Sequence, residues 1–243
     1  MVEYKDLDRK VIDELKIVVA QGCRVIGKLG LADYLGHISA RIPGTDFVLI
    51  KGSGLVCGNL MNTTPDHIVM VDIEGNFVEG LHKQPNETRL HTEIYKARPD
   101  VMAVVHDHQH YATALDAAGK KILPMEGVMI YPVSKDVPVF ESSLKICTHE
   151  QGAAVAKCLG DNICCHLRNH GIVAVGGCMQ EAVINAIWLE IQAKFTYMAY
   201  ACGGTPHPQS PEEVQLNIGQ AEKWQGRWAY YTSLLDVPGL LSL

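Results

Sequence analysis

Two histidines one residue apart close the apolar run AVVHDH, and His106 and His108 are the chain's strongest chemical signal. On a strand, side chains two positions apart share a face, so these two imidazoles can close on one metal ion. His110 continues the alternation, at a point where the strand is expected to turn into a helix. A third ligand is on offer in RNHGIVAVGG, where His170 precedes a second apolar run and Gly171 lets the backbone approach closely. His166, four residues earlier, competes with it. Three histidines and one open position describe a catalytic zinc-type site rather than a structural one. The plainer use of these side chains is hydrogen bonding at strand ends.

Glu87 heads a helical segment after Pro85 and Asn86. A carboxylate there is often no more than a first-turn charge that complements the helix dipole. Against that, GHISAR and KGSG are small-residue turns of the kind that present backbone N–H groups to an oxyanion. Ser53, Gly54 and Asn86 add donors nearby.

Holding these groups together requires alternating strands and helices, and the pattern supplies them. Helical spacing predicts a helix over 7–29, stopped by Gly30. HISARI, FVLIK and IVMVD read as short strands, with a hairpin turn at Glu74 to Asn76. Further helices are predicted over 87–96, 111–118, 143–159, 179–200 and 211–235, with strands at CCHL and GIVAVG. The last helix is rich in aromatics, with Trp224, Trp228, Tyr230 and Tyr231. The sum is a mixed α/β chain, expected to be one domain over 1–243 with an aromatic C-terminal segment from about 211.

At 243 residues the chain can bury a full core. A net charge of −6 argues against nucleic-acid or acidic-membrane partners. The charged start MVEYKDLDRK predicts no signal peptide, and no apolar stretch reaches the length of a membrane span. The eight cysteines are scattered without a CxxC pair, which fits reduced thiols and a cytoplasmic protein.

GHISAR, KGSGL, the PNE before a helix, VVHDHQHYATAL and NHGIVAVG occur in an order and spacing that resembles the class II aldolase/adducin family, which includes fuculose- and ribulose-phosphate aldolases. The resemblance runs from about residue 8 to 200. It implies a single αβα domain with a mostly antiparallel central sheet flanked by helices, assembled as a four-fold homotetramer with the site near a subunit interface. It also implies one divalent metal ion per chain on His106, His108 and His170, usually zinc, with manganese, iron or magnesium as alternatives. Glu87 matches the family's acid/base, which can also touch the metal when substrate is absent.

The departures from that pattern bear on substrate. Phosphosugar members bind phosphate through a GNVS-like turn, the turn matched here by Ser53 and Gly54, and a serine pair before the glutamate. His37 stands where that first turn has asparagine, and Pro85 and Asn86 replace the serine pair. Proline has neither N–H nor hydroxyl. The expected substrate is therefore a small non-phosphorylated hydroxy, oxo or dihydroxyaromatic acid, its carboxylate met by His37, Ser53, Gly54 and Asn86. The expected reaction is metal-dependent carbon–carbon cleavage, by decarboxylation or by aldol chemistry. Tyr230 and Tyr231 are candidates to protonate a departing aldehyde, Trp228 and Tyr231 to wall a flat ring, and packing is the competing use of all three. A phosphosugar aldolase or epimerase, an Fe(II) oxygenase and an adducin-like scaffold are the alternatives. The complete histidine set and Glu87 weigh against the scaffold.

Overall fold

In the computed structural model the described residues are 4–32, 34–220, 224–239 and 241. Helix α1 (Arg9–Lys28) begins where the Asp8 side chain accepts from the Lys10 N–H, and it ends ahead of Gly30, whose φ is +68°. Strands β1 (Gly36–Arg41), β2 (Phe47–Lys51), β3 (Ile68–Asp72) and β4 (Phe77–Glu79) follow. Helix α2 (Thr88–Ala97) leads to β5 (Ala103–Asp107) and α3 (His110–Ala117). Then come β6 (Val139–Phe140), α4 (His149–Leu159), β7 (Cys164–Leu167), β8 (Gly171–Gly176) and α5 (Met179–Ala201). Helices α6 (Pro211–Gln220) and α7 (Trp224–Ser233) close the chain.

The strands form one eight-stranded sheet in the order β4-β3-β2-β1-β5-β8-β7-β6. Every pairing is antiparallel except β6 with β7. Period-two alternation sorts the strand residues onto two faces. Ala103, Val105, Ile38 and Ala174 join a core with α1, α3, α5 and α7. Val104, Val173, Val48 and Ile50 face the other way, onto α2 and α4. His106 and His37 alternate with Val105 and Ile38, so they lie on the α2/α4 side. The expected α/β architecture, with helices on both faces of a mostly antiparallel sheet, is the one the chain adopts.

Two predicted helices differ, and two short strands were not predicted. Residues 143–148 are not helical: α4 starts at His149, capped reciprocally by Thr148 and Gln151. That freed segment carries Lys145 and Ile146 across the α2/α4 side of the sheet. The segment 211–235 forms two helices, with 221–223 outside the described residues. Strands β4 and β6 are too short, at three and two residues, to register as alternation.

Candidate metal centre and active site

Three elements bring the histidines together. His106 is the last residue but one of β5, and His108 lies just beyond the strand end. His170 closes the turn between β7 and β8, where Asn169 takes a φ of 53°, a left-handed conformation asparagine tolerates. The Asn169 N–H donates to Asp116 Oδ2 at 2.9 Å, which pins the turn to α3. Gly171 is required next: a Cβ there would stand 2.3 Å from the Asp107 carbonyl oxygen. Ring centroids of the three histidines lie 5.2, 5.1 and 4.9 Å apart, and one nitrogen from each falls within 4.8 Å of the others.

The donor set fits a divalent metal ion. His106 Nδ1 donates to the Ile172 carbonyl at 2.8 Å, and its buried Nε2 has no hydrogen-bond partner among the described residues. Fixing one ring nitrogen this way leaves the other with its lone pair free. Burial pushes the His106 pKa well down, with His37 adding to it, and takes His108 to about 4, with His170 adding to it. His170 is lowered as well, again mainly by burial. Neutral imidazoles with free lone pairs are what a metal needs.

Glu87 caps α2 in the chain trace, yet its carboxylate makes no capping bond. It turns instead toward the histidines. Its Oε1 accepts from the Ile146 N–H at 2.9 Å and lies 3.8 Å from His170 Nε2. Oε2 lies 3.4 Å from His37 Nε2 and 3.9 Å from His106 Nε2. Burial alone would raise the Glu87 pKa, but the His37 hydrogen bond, the nearby His106 and the Ile146 N–H outweigh it and hold the carboxyl below its usual range. A first-turn charge with no other task would face solvent; this one is buried.

These groups open onto a cavity of about 610 Å³, within the usual range for small-molecule sites. His37, Ser53, Gly54, Asn86, Glu87, His108 and His170 all line it. Ser53 lines it with its donors already engaged: the N–H and hydroxyl go to the carbonyls of Lys83 and Gln84. Sequence reasoning missed Lys51 and Lys145, which also line the cavity. Lys51 ends β2 with only 4% of its surface exposed. Among the described residues it forms no ion pair, and its hydrogen bond to the Gly52 carbonyl is long, 3.4 Å. Burial lowers its pKa. The signal was present in KGSG, where a lysine ends an apolar strand that alternation buries.

The remaining candidates lie elsewhere. His110 starts α3 with its side chain exposed. His166 sits in β7 with Nδ1 3.7 Å from Asp116 Oδ2, lining a separate cavity of about 170 Å³. Tyr231 and Trp228 pack into the core on the opposite side of the sheet, and Tyr230 is exposed. Within this chain none of the three lines the cavity.

Known proteins share both the sequence and the fold. A 3,4-dihydroxyphthalate decarboxylase from Arthrobacter keyseri is 35% identical over 224 residues, covering 87% of this chain and 90% of that protein. An L-fuculose phosphate aldolase from Methanococcus maripaludis is 32% identical over 166 residues, covering 67% of this chain and 84% of that protein. The crystal structure of an aldolase II superfamily protein from Pseudomonas syringae superposes with a TM-score of 0.81 at 23% identity, covering 96% of each chain. The profile of the Class II Aldolase and Adducin N-terminal domain matches residues 18–197. With that match spanning most of the chain, the protein belongs to the class II aldolase and adducin family.

Proposed function

We propose that the protein is a divalent-metal-dependent decarboxylase of a non-phosphorylated dihydroxyaromatic acid, of the 3,4-dihydroxyphthalate kind. One observation carries this reading: the 35% identity to the Arthrobacter keyseri decarboxylase extends over 87% of the chain. The cavity chemistry supports it. Pro85 offers no phosphate donor and Ser53 has none to spare, whereas Lys51 is a buried cation without a counter-charge, suited to a substrate carboxylate.

His106, His108 and His170 would hold the metal, with zinc the expected ion. When bound, the ion would supply a Lewis acid, worth several kcal/mol to the negative charge that develops on the substrate. Glu87, ionised at rest, takes the proton of the hydroxyl next to the leaving carboxylate and hands it to the ring carbon that bears that carboxylate. The carbon–carbon bond then breaks, carbon dioxide departs, and the bonding pair returns to the ring as a phenolate, which takes a proton from water. The sum is one proton in and one carbon dioxide out. Lys51 pairs with the carboxylate that stays.

Aldol cleavage is the second reading, and it needs a donor for the departing carbonyl. Within this chain Tyr230 and Tyr231, the tyrosines weighed for that task, do not line the cavity, so a neighbouring copy would have to supply the donor. We read the chain further as one domain, its tail joined through Val214 and Tyr231 to the core shared with α1 and α5. A cytoplasmic homotetramer is the assembly we infer. Exposed Tyr34, Leu35 and Leu55 around the cavity support burial of its mouth against a second copy. Among the described residues no helix is long and apolar enough to cross a membrane.

The test is to load the purified protein with zinc, manganese or iron and offer 3,4-dihydroxyphthalate and fuculose 1-phosphate in parallel. Carbon dioxide release matching aromatic product, without dioxygen uptake, is expected. Aldehyde from the phosphosugar and no carbon dioxide from the acid would replace the proposal with the aldolase.

A further inference from the structure

Two overlapping sets among the described residues stand close enough to hold a metal ion: His106, His108 and His170, and His37, Glu87 and His106. A buried chain of side chains behind His37 separates them. His37 Nε2 lies 3.4 Å from Glu87 Oε2, and its Nδ1 lies 2.7 Å from His91 Nε2. His91 Nδ1 is 2.7 Å from Ser39 Oγ, which is 2.8 Å from the Tyr95 hydroxyl. Two elements build this chain. β1 places His37 and Ser39 on one face at period two. The segment entering α2 places Glu87, His91 and Tyr95 at intervals of four, one above another. Ser39 and His91 are fully buried and Tyr95 nearly so, leaving no place for water to join.

The chain has one consistent direction. A neutral imidazole has one donor and one acceptor, and an ionised carboxylate only accepts. The carboxylate of Glu87 therefore accepts a hydrogen bond from His37 Nε2–H. His37 Nδ1 must then accept from His91 Nε2–H, His91 Nδ1 from the Ser39 hydroxyl, and Ser39 Oγ from the Tyr95 hydroxyl. A second proton on His37 would sit on Nδ1 and leave Nε2 as it was.

We propose, resting on the reading of Glu87 and the histidine centre above, that this chain fixes the His37 proton on Nε2, so that His37 is barred from the metal and its one N–H holds the Glu87 carboxylate in place. A nitrogen that carries a proton has no lone pair for an ion. His91, Ser39 and Tyr95 are positioning residues in this scheme. The ion is thereby directed to His106, His108 and His170.

The test reads the ring protons directly, by ¹⁵N solid-state NMR of histidine-labelled, metal-free protein. A His37→Asn spectrum identifies the His37 signals by difference. The native protein should show a protonated Nε2 and a bare Nδ1. In Ser39→Ala, His91 loses its donor and should show both tautomers, its Nε2 no longer a fixed donor to His37, with turnover about tenfold lower, the worth of one neutral hydrogen bond, and metal content unchanged. Ser39→Thr keeps the hydroxyl and should restore both readouts. A bare Nε2 in the native protein, or a Ser39→Ala protein identical to native in tautomer and turnover, overturns the proposal. If Ser39→Ala does not fold, the native spectrum decides, with Tyr95→Phe as the second variant. Because the spectra need neither metal nor substrate, failure of the decarboxylase reading would show separately, as absent carbon dioxide release.

Discussion

His106 Nδ1 donates to the carbonyl of Ile172 on the neighbouring strand, at 2.8 Å. The bond runs from β5 to β8, whose pairing sets His106 opposite Val173. It ties a ring to the most rigid part of the fold and turns its unpartnered Nε2 toward His108 and His170. His170, by contrast, stands in the turn between β7 and β8, outside the strands. His106 is thus the pre-oriented ligand, and the other two complete the set from less constrained backbone.

Replacing a ligand should remove the ion. In His108→Ala, metal affinity should fall by more than roughly a hundredfold, beyond the loss typical of residues that only orient a ligand. Elemental analysis and chelator competition on the purified variant check this. The fold should survive, since His108 lies past the end of β5 and lines the cavity. Retention of native metal content would move the centre to the other donor set.

Glu87→Gln separates binding from chemistry. The amide keeps the shape and can still accept from the Ile146 N–H, so folding and metal content should be native. Proton transfer is lost, and turnover should drop by about 10²- to 10⁴-fold, the usual worth of a general acid/base. Single-turnover carbon dioxide release, measured beside metal content, reads both. Native turnover in the variant would end the acid/base role.

The site was legible in sequence where periodicity carried the chemistry. His106 and His37 fall on the helix-covered face because apolar neighbours at period two fix which way each strand residue points. Glu87 announced itself as a helix head, though its inward turn depends on Ile146, some sixty residues away in a segment expected to be helical. Capping won there: Thr148 with Gln151 starts α4 late, and the freed backbone N–H reaches the carboxylate. Lys51 was readable as a lysine ending a buried strand, but its lack of a counter-charge is a property of the folded surroundings. The aromatic tail stood open in sequence between packing and a wall for the substrate, because composition does not say which side of the sheet a helix covers; within the chain α7 packs against the side away from the histidines.

Gly171 tests how closely the strands must approach. A methyl group there would meet the Asp107 carbonyl at 2.3 Å and His108 Cδ2 at 3.1 Å. Gly171→Ala should cost about 1–3 kcal/mol of stability, as overpacking does, and should loosen His108 and His170 together. Thermal melting and metal titration on the same sample should both shift. A native melting curve with native metal affinity would show that β5 and β8 can part without disturbing the centre.

Lys51 offers the sharpest test, because it should affect stability and binding in opposite directions. Burial lowers its pKa below the ordinary lysine value of 10.5, so the unfolded chain holds that proton more tightly than the folded one. The buried charge therefore opposes folding in full below the lowered pKa, and the penalty vanishes as pH rises to 10.5. Lys51→Met should accordingly be more stable than the native protein at neutral pH, and the gap should close as pH climbs through that window. Denaturant melts at a series of pH values measure it. The same variant should bind a carboxylate substrate worse, with KM raised roughly ten- to a hundredfold, the worth of a hydrogen bond to a charged group, and kcat changed less. A lysine kept only for packing would leave KM unchanged when methionine fills its volume; a lysine kept for a substrate anion would not.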